Sequence, residues 1–305
     1  MPSGSLQVML GTFRRHRRHP VETVRRDLAG LHVVFSGGTD GMGRVAVGRL
    51  AQMNANIHVL GRNPEKTART VDELNRAGGG GRAAAVPCDL SSLSSVRACA
   101  AMLLEQCPRI DVLINCAGTN AWERRMSADG HEMNWAVNYL GPFLLTQLLL
   151  ERIKASVPAR IVNLSSETEM AGHIHFDDLR LARNWTALRS YAQAKLATNM
   201  ATIALARRLD GTGVTVNALN PGFIRTALLR DIKGAMQIWK PLMNWLASPA
   251  EVGAERILMV ALSPKYEGVN GQYVHEDAVR QPNPEALDDA AVERLWEITE
   301  KAVRT

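Results

Sequence analysis

The sequence has few cysteines and no apolar run long enough to cross a bilayer. Its four cysteines are Cys88, Cys99, Cys107 and Cys116. They have neither metal-site spacing nor the density of a disulfide scaffold, so we expect a reducing compartment. Residues 137–150 form the longest apolar run, which is interrupted by Asn138 and Gly141 and is too short to span a membrane. The N-terminus lacks the apolar core of a secretory signal, which predicts a cytoplasmic protein.

Net charge is also scarce outside the first 30 residues. Six arginines and two acids give residues 1–30 a net +4 of the formal +6. The nearly neutral remainder gives no support for a nucleic-acid partner. For the basic arm, residues 1–28, two interpretations remain open. It contacts an anionic membrane surface or an acidic partner, or, more simply, it is a solvated arm packed along the fold.

Short apolar runs alternate with helical patterns along the rest of the chain. The predicted strands are Leu31–Ser36, Asn56–Leu60, Ala83–Pro87, Ile110–Asn115, Arg160–Ser165, Val214–Leu219 and Gly271–Val274. Repeated strand–helix–strand units require right-handed crossovers and a parallel sheet covered on both faces. We therefore predict an α/β fold over residues 29–305. It is a single Rossmann-type doubly wound domain with a mostly seven-stranded parallel sheet and helices on both faces.

A glycine-rich turn joins the first predicted strand to the first helix. Gly37, Gly41 and Gly43 form the pattern GxxxGxG between these elements. Glycines there permit a tight turn and let the backbone approach a pyrophosphate at the helix N-terminus. A flexible turn would show similar residues, but the strand and helix on either side favour a dinucleotide site.

The end of the second predicted strand bears on the choice of cofactor. An NAD-binding protein usually carries an acidic residue there to hold the ribose 2′-hydroxyl. This sequence has Gly61 and Arg62 instead. A guanidinium can bind a 2′-phosphate, with Arg44 as a second candidate, although both could be solvated surface arginines. The pattern favours NADP(H) over NAD(H).

Tyr191 and Lys195 form a YxxxK pair in a segment with helical apolar spacing. Residues four apart share a helix face, so the ammonium would lie near the phenol and lower its pKa. Such a phenol can exchange a proton with a substrate oxygen. By itself the pair is a weak motif, because a helix can carry a tyrosine and a solvated lysine at this spacing by chance.

Taken in order, these motifs resemble the short-chain dehydrogenase/reductase family over about residues 30–280. The glycine motif matches that family's TGxxxGxG, with Ser36 in place of threonine, and Asn115–Gly118 matches NNAG, with Cys116 in place of asparagine. Ser166, Tyr191, Lys195 and Asn138 match the catalytic tetrad. The turn at Asp89, the helix Val137–Phe143 and the insertion before Tyr191 are similar to the retinol-dehydrogenase-like branch.

The resemblance implies roles for individual residues. Ser166 would bind the substrate oxygen, and Tyr191 would be the general acid or base. Lys195 would lower the pKa of Tyr191 and hold the nicotinamide ribose, and Asn138 would position a water. The candidate cofactor-binding residues are Gly37, Thr39, Asp40, Gly41, Met42, Gly43, Arg44, Arg62, Asp89, Leu90, Asn115, Ala117, Gly118, Tyr191, Lys195, Pro221, Gly222 and Thr226.

The substrate side is predicted from an apolar segment at about residues 225–247. In the family this region is a lid over the substrate, and its composition favours a small apolar carbonyl or alcohol. It could equally pack on the body or on a second subunit of a homodimer or homotetramer. We predict no metal, since His173 and His175 have no further ligand at metal spacing. The alternative to an enzyme is a nucleotide-binding scaffold without turnover.

Overall fold

The structure, a computed structural model, describes residues 21–225 and 247–304. Its strands are β1 (His32–Ser36), β2 (Asn56–Gly61), β3 (Ala83–Pro87), β4 (Val112–Asn115), β5 (Ala159–Leu164), β6 (Val214–Asn220), β7 (Tyr273–His275) and β8 (Ala278–Arg280). Its longer helices are α1 (Gly41–Gln52), α2 (Pro64–Ala77), α3 (Leu93–Gln106), α4 (Gly141–Lys154), α5 (Ala187–Arg208), α6 (Ala250–Leu262) and α7 (Asp289–Arg304).

The strands form one sheet in the order β3-β2-β1-β4-β5-β6-β7-β8. All neighbouring strands are parallel except β7 and β8, which are antiparallel. The predicted doubly wound parallel sheet of seven strands is confirmed, with β8 as an addition at one edge. β8 has only three residues and is largely exposed, so it has no apolar pattern that would reveal it in the sequence.

Two apolar layers cover the two faces of the sheet. On one face, α3, α4, α5 and α7 pack on side chains such as Leu113 and Ile161. On the other face, α1, α2 and α6 pack on side chains such as Phe35 and Ile114. From β1 the chain adds β2 and β3 on one side, and then returns to add β4 on the other side of β1. The strand order therefore reverses between β1 and β4. In doubly wound sheets ligands bind in the crevice at the carboxyl ends of the strands at such a point.

Part of the predicted basic arm lies along the domain. Val24 and Leu28 are buried, and Leu28 donates its backbone N–H to the carbonyl of Met53 at 2.7 Å. Glu22 accepts a hydrogen bond from Ser263 at 2.7 Å. Residues 1–20 lie outside the described residues, so the boundary at residue 28 stays a prediction. None of the described helices is long and apolar enough to cross a membrane.

The predicted lid begins and ends at one point of the fold. Ile224 and Ser248 form a parallel bridge, Arg225 donates its N–H to the Ser248 carbonyl at 2.9 Å, and Ser248 donates to Phe223 at 2.8 Å. Residues 226–246, which include most of the lid and Thr226, lie outside the described residues. The sequence Ser248–Glu251 has the pattern of a capping box, which predicts that Ser248 caps α6. This prediction is wrong, because the N-cap of α6 is Pro249 and no side chain caps the helix.

Candidate active site

The glycine-rich turn lies against the end of β4. Gly37 has a φ of +80°, and a Cβ there would lie 2.7 Å from the backbone nitrogen of Ala117. A Cβ at Gly43 would lie 2.2 Å from the carbonyl oxygen of Gly37. The Ala117 N–H donates to Ser36 Oγ at 3.3 Å. These glycines are therefore required by the close approach of two loops, which forms a cradle at the point where the strand order reverses.

The N-terminus of α1 opens into this cradle. Asp40 is its N-cap and accepts the N–H of Gly41 at 2.8 Å. The first i to i−4 hydrogen bond of the helix joins Arg44 N–H to the Asp40 carbonyl at 3.0 Å. The amides of Met42 and Gly43 belong to the first turn, where an α-helix leaves its N–H groups for a ligand. Lys66, which the sequence analysis did not select, pairs with Asp40 at 2.8 Å and offsets its charge.

The two arginines predicted to bind a 2′-phosphate differ in their surroundings. Arg62 follows the last residue of β2 and is exposed. Arg44 on α1 forms an ion pair with Glu73 on α2. An arginine paired with a carboxylate is a poorer phosphate ligand, because the phosphate must compete with the existing partner. The geometry therefore favours Arg62 over Arg44.

Two predicted cofactor-binding residues, Asn115 and Asp89, also make hydrogen bonds within the protein. The Asn115 side-chain amide donates to Asn163 Oδ1 at 2.8 Å and to Thr146 Oγ1 at 3.1 Å, so it links neighbouring elements. Asp89 accepts from the N–H and the hydroxyl of Ser91 at 2.9 and 2.7 Å, which shapes the turn after β3. The Asn115 contacts had no signature in the sequence, because they depend on which elements are neighbours. The Asp89–Ser91 contact is instead local, between residues two apart in the chain.

The segment after β6 is held by an ion pair that the sequence analysis missed. Arg256 on α6 donates to the carbonyl of Pro221 at 2.7 Å and to Glu276 at 3.0 Å. Gly222 has a φ of +78°, and a Cβ there would lie 2.7 Å from Glu276 Oε1 and 2.9 Å from Arg256 Nη1. Arg256 thus fixes the Pro221–Gly222 turn. Its position in a largely apolar helix was the only available signal.

Tyr191 and Lys195 lie one turn apart on α5, as predicted. Lys195 is buried, with 4% of its surface exposed, and its Nζ donates to the carbonyl of Leu164 at 2.7 Å. The same Nζ lies 5.6 Å from the centroid of the Tyr191 ring. The Tyr191 hydroxyl is hydrogen bonded to Ser166, the second residue after the end of β5. The three side chains therefore converge at the carboxyl end of β5.

The electrostatics of this group differ from the sequence-based expectation. Burial raises the pKa of Tyr191 to about 12, and the hydrogen bond with Ser166 opposes that rise. Burial lowers the pKa of Lys195 to about 8, and the nearby Cys116 thiol opposes that fall. In the protein alone, Lys195 does not bring the Tyr191 pKa down to neutral pH, because loss of solvation outweighs the favourable contacts.

Asn138 is buried in the π-helical turn Ala136–Leu140, which precedes α4. Its amide nitrogen donates to the carbonyls of Thr119 and Asn134 at 2.8 and 2.9 Å, and its oxygen accepts from the Thr119 N–H at 3.0 Å. A Cβ at Gly118 would lie 2.9 Å from this oxygen and 3.9 Å from Lys195 Nζ. Asn138 therefore fixes the loop after β4 beside Lys195. Its predicted role in positioning a water stays a prediction.

The described residues fit a dinucleotide. Gly37, Gly43 and Gly118 let the turn after β1, the first turn of α1 and the loop after β4 pack closely together, which brings the N-terminus of α1 to the end of β4. The proton-transfer group lies at the end of β5, next to β4 in the sheet. This arrangement puts the candidate nucleotide site and the predicted proton donor on one edge of the sheet, as a hydride-transferring enzyme requires.

Comparisons with known proteins agree with this arrangement. The family described as short chain dehydrogenase matches residues 31–237. Retinol dehydrogenase 14 of Mus musculus is 38% identical over 290 residues, covering 90% of this chain and 86% of that protein. Retinol dehydrogenase 13 of Homo sapiens is 38% identical over 275 residues, covering 88% and 83%.

Solved structures show the same fold. An uncharacterized protein from Mycobacterium paratuberculosis aligns with a TM-score of 0.74 and 27% identity, covering 93% of this chain and 98% of that chain. The Pseudomonas aeruginosa RhlG/NADP active-site complex aligns with a TM-score of 0.66 and 26% identity, covering 85% and 98%.

The chain belongs to the short-chain dehydrogenase family. It is an oxidoreductase acting on CH–OH groups, and its sequence is of the retinol dehydrogenase type.

The buried Lys195 makes a testable contribution to stability. Its pKa, which burial lowers to about 8 from the ordinary 10.5, means that the unfolded chain binds more protons between these pH values. The free energy of unfolding therefore rises with pH across that window. Relative to Lys195→Met, the cofactor-free wild type should gain about 2 kcal/mol between pH 7 and pH 9.5. Urea unfolding of both proteins at the two pH values measures it, and a difference independent of pH would contradict the buried ammonium.

Proposed function

We propose that this protein is an NADP(H)-dependent oxidoreductase that interconverts an apolar carbonyl compound and its alcohol. The observation that carries the proposal is the convergence of Ser166, Tyr191 and Lys195 beside the glycine cradle. A scaffold that only bound a nucleotide would have no need of a tyrosine hydroxyl hydrogen bonded to a serine in this place.

Proton transfer follows from the same geometry. The bound cofactor would supply or accept the hydride. Ser166 orients the substrate oxygen, and Tyr191 passes the proton. Since the pKa of Tyr191 is raised by burial to about 12, its phenol is protonated at neutral pH in the free protein. This state is the proton donor that carbonyl reduction needs. Lys195 holds a positive charge beside the ring below its pKa of about 8, which opposes the effect of burial.

The substrate class rests on the lid and on the relatives. The segment at about residues 225–247 is rich in large apolar side chains. The relatives named above are retinol dehydrogenases, and retinol is an apolar alcohol. A screen of aldehydes, ketones and alcohols of graded chain length, followed by nicotinamide absorbance, tests the proposal. Turnover that rises with apolar chain length supports it. Binding of the cofactor with no turnover of any substrate would instead indicate a nucleotide-binding scaffold.

Replacement of Tyr191 tests the proton donor. Tyr191→Phe should lower kcat by roughly 10²–10⁴-fold, because it removes one general acid–base group. NADPH affinity should stay within about twofold, since a single hydroxyl is lost. Tyr266→Phe is the matched control, because that buried hydroxyl bonds to the carbonyl of Asp277 outside the site. A Tyr191→Phe variant with more than about a tenth of the wild-type rate would remove Tyr191 from the mechanism.

Cofactor preference is tested at Arg62. A charge-assisted hydrogen bond to the 2′-phosphate is worth roughly 1.5–3 kcal/mol, so Arg62→Ala should weaken NADPH binding about tenfold or more. NADH binding should change little. Arg76→Ala, an exposed arginine in the last turn of α2, removes the same charge away from the site. Fluorescence titration of both cofactors measures the effect. Equal wild-type affinity for NADH and NADPH would rule out the assignment.

The structure changes the design of the reverse experiment. A carboxylate at Gly61 should favour NADH, but a Cβ there would lie 2.1 Å from Thr67 Oγ1. That hydroxyl also bonds to the Asn63 carbonyl at 2.8 Å, so it is not free to move. We therefore expect the double variant Gly61→Asp/Thr67→Ala to shift preference toward NADH, with Thr67→Ala as its control. If both variants showed the same preference between NADH and NADPH, position 61 would not contact the 2′ substituent of the ribose.

For the basic arm and the location of the protein, we favour the simpler interpretation, a cytoplasmic protein whose arm is solvated. Deletion of residues 1–20 should then leave the fraction that pellets with anionic vesicles unchanged. The deletion retains Val24 and Leu28, which pack on the domain. Salt-sensitive pelleting that is lost with the arm would instead establish peripheral membrane contact, because basic side chains bind anionic lipid electrostatically. Sedimentation of the same samples tests the proposed homodimer or homotetramer.

A further inference from the structure

A second cluster of chemically reactive side chains lies away from the active site. His32 is the first residue of β1, His58 lies within β2, and Cys107 follows the last residue of α3. One ligand atom from each lies within 4.8 Å of the others. His32 begins β1 and Cys107 precedes β4, whereas the candidate active site lies at the carboxyl ends of the strands. The proposed reaction therefore does not use this cluster.

Two of the three atoms already have the separation found around a metal. Cys107 Sγ lies 3.5 Å from His32 Nδ1. In a tetrahedral zinc site, with Zn–S about 2.3 Å and Zn–N about 2.0–2.1 Å, sulfur and nitrogen ligands are about 3.5 Å apart. The His32 and His58 rings are stacked, with centroids 5.9 Å apart and planes inclined by 21°. The His58 ligand nitrogen lies within 4.8 Å of both other ligand atoms, so it would have to approach each of them by at most about 1.5 Å to reach tetrahedral spacing.

His58 also carries an unsatisfied polar atom. Only 7% of its surface is exposed, and its Nδ1 has no hydrogen-bond partner among the residues that the structure describes. Buried polar atoms are nearly always paired with protein, water or an ion. A cation bound between this nitrogen, the His32 imidazole and the Cys107 thiol would give the nitrogen a partner.

The backbone around the cluster is firmly held. Cys107 donates its N–H to Leu103 at 2.8 Å, and Arg152 donates to the Cys107 carbonyl. The His32 N–H donates to Asp111 Oδ2 at 2.8 Å, and Arg109 pairs with the same carboxylate. These contacts are made to backbone atoms, so they fix the main chain from which the His32 and Cys107 side chains project.

The sequence predicts no metal, because His32, His58 and Cys107 are far apart in the chain, but we propose that these three residues bind a Zn²⁺ ion, with a water molecule as the fourth ligand. Imidazole and thiolate are the ligands that zinc prefers, and three protein ligands with a water is a common zinc arrangement. On binding, the Cys107 thiol gives up its 2.8 Å hydrogen bond to the Arg109 carbonyl. It releases its proton to solvent as the sulfur–zinc bond forms, and no atom changes its oxidation state. His32 is partly exposed and provides the entry path.

The consequence for the protein is stability. The three ligands come from β1, β2 and the segment between α3 and β4, so an ion would join three consecutive units of the fold. A cation that binds only the folded chain stabilises it in proportion to the logarithm of its concentration over Kd. Zn²⁺ at about a hundred times its Kd should therefore raise the melting temperature by several degrees.

The test is titration of the reduced, metal-free full chain with Co²⁺, followed by absorption spectroscopy. We expect one Co²⁺ per chain, a thiolate-to-cobalt charge-transfer band and loss of that band when Zn²⁺ is added. Cys107→Ser and His58→Leu should each abolish the band and the Zn²⁺-dependent rise in melting temperature. Cys99→Ser should keep both. It is the matched control, because Cys99 on α3 is as completely buried as Cys107.

Two results would overturn the proposal. One is the absence of a thiolate band in the wild type, which includes the case where metal binds only through surface histidines such as His173 and His175. The other is a band that survives in both ligand variants. If Cys107→Ser does not fold, His58→Leu and the wild-type spectrum still decide the question. The readout is independent of catalytic activity, so failure of the proposed enzymatic function would leave this result intact.

Discussion

The hydrogen bond from Lys195 to the carbonyl of Leu164 is the contact on which the geometry of the candidate active site depends. It joins α5 to the end of β5 at 2.7 Å and holds a buried amine beside Tyr191. A buried ammonium is tolerated only when its donors are satisfied. This requirement fixes the register between the helix and the strand, and with it the position of Tyr191 against Ser166. The family resemblance selects these residues, but this contact makes them one site.

The carboxyl and amino ends of the parallel strands carry different groups of side chains. At the carboxyl ends, glycines without side chains let the first turn of α1 pack against the end of β4, where the candidate nucleotide site lies. Toward the amino ends, His32, His58 and Cys107 lie close together beside the C-terminal end of α3. Parallel strands place all their like ends on one edge, so a single sheet can separate a reactive edge from a stabilising one.

Much of the fold was predictable because its signals are local. All seven predicted strands are present, and Asn63 caps α2 ahead of Pro64 as its neighbours suggest. β8 was missed because three mostly exposed residues have no periodicity. The capping box at Ser248 was wrong because tertiary pairing with Phe223 engaged that residue. The direction of the Tyr191 pKa also depended on burial, which the spacing to Lys195 does not reveal.

The sequence alone determined the doubly wound fold and the glycine turn, since both follow from the order and spacing of residue types along the chain. The set Ser166, Tyr191, Lys195 and Asn138 was predicted from its resemblance to the family. Only the tertiary structure decided which side chains are partnered. It pairs Arg44 with Glu73 and places Thr67 where a side chain at position 61 would lie. It also brings His32, His58 and Cys107 together from three distant segments. Contacts between residues far apart in the chain depend on sheet order and helix packing, and no local spacing encodes them.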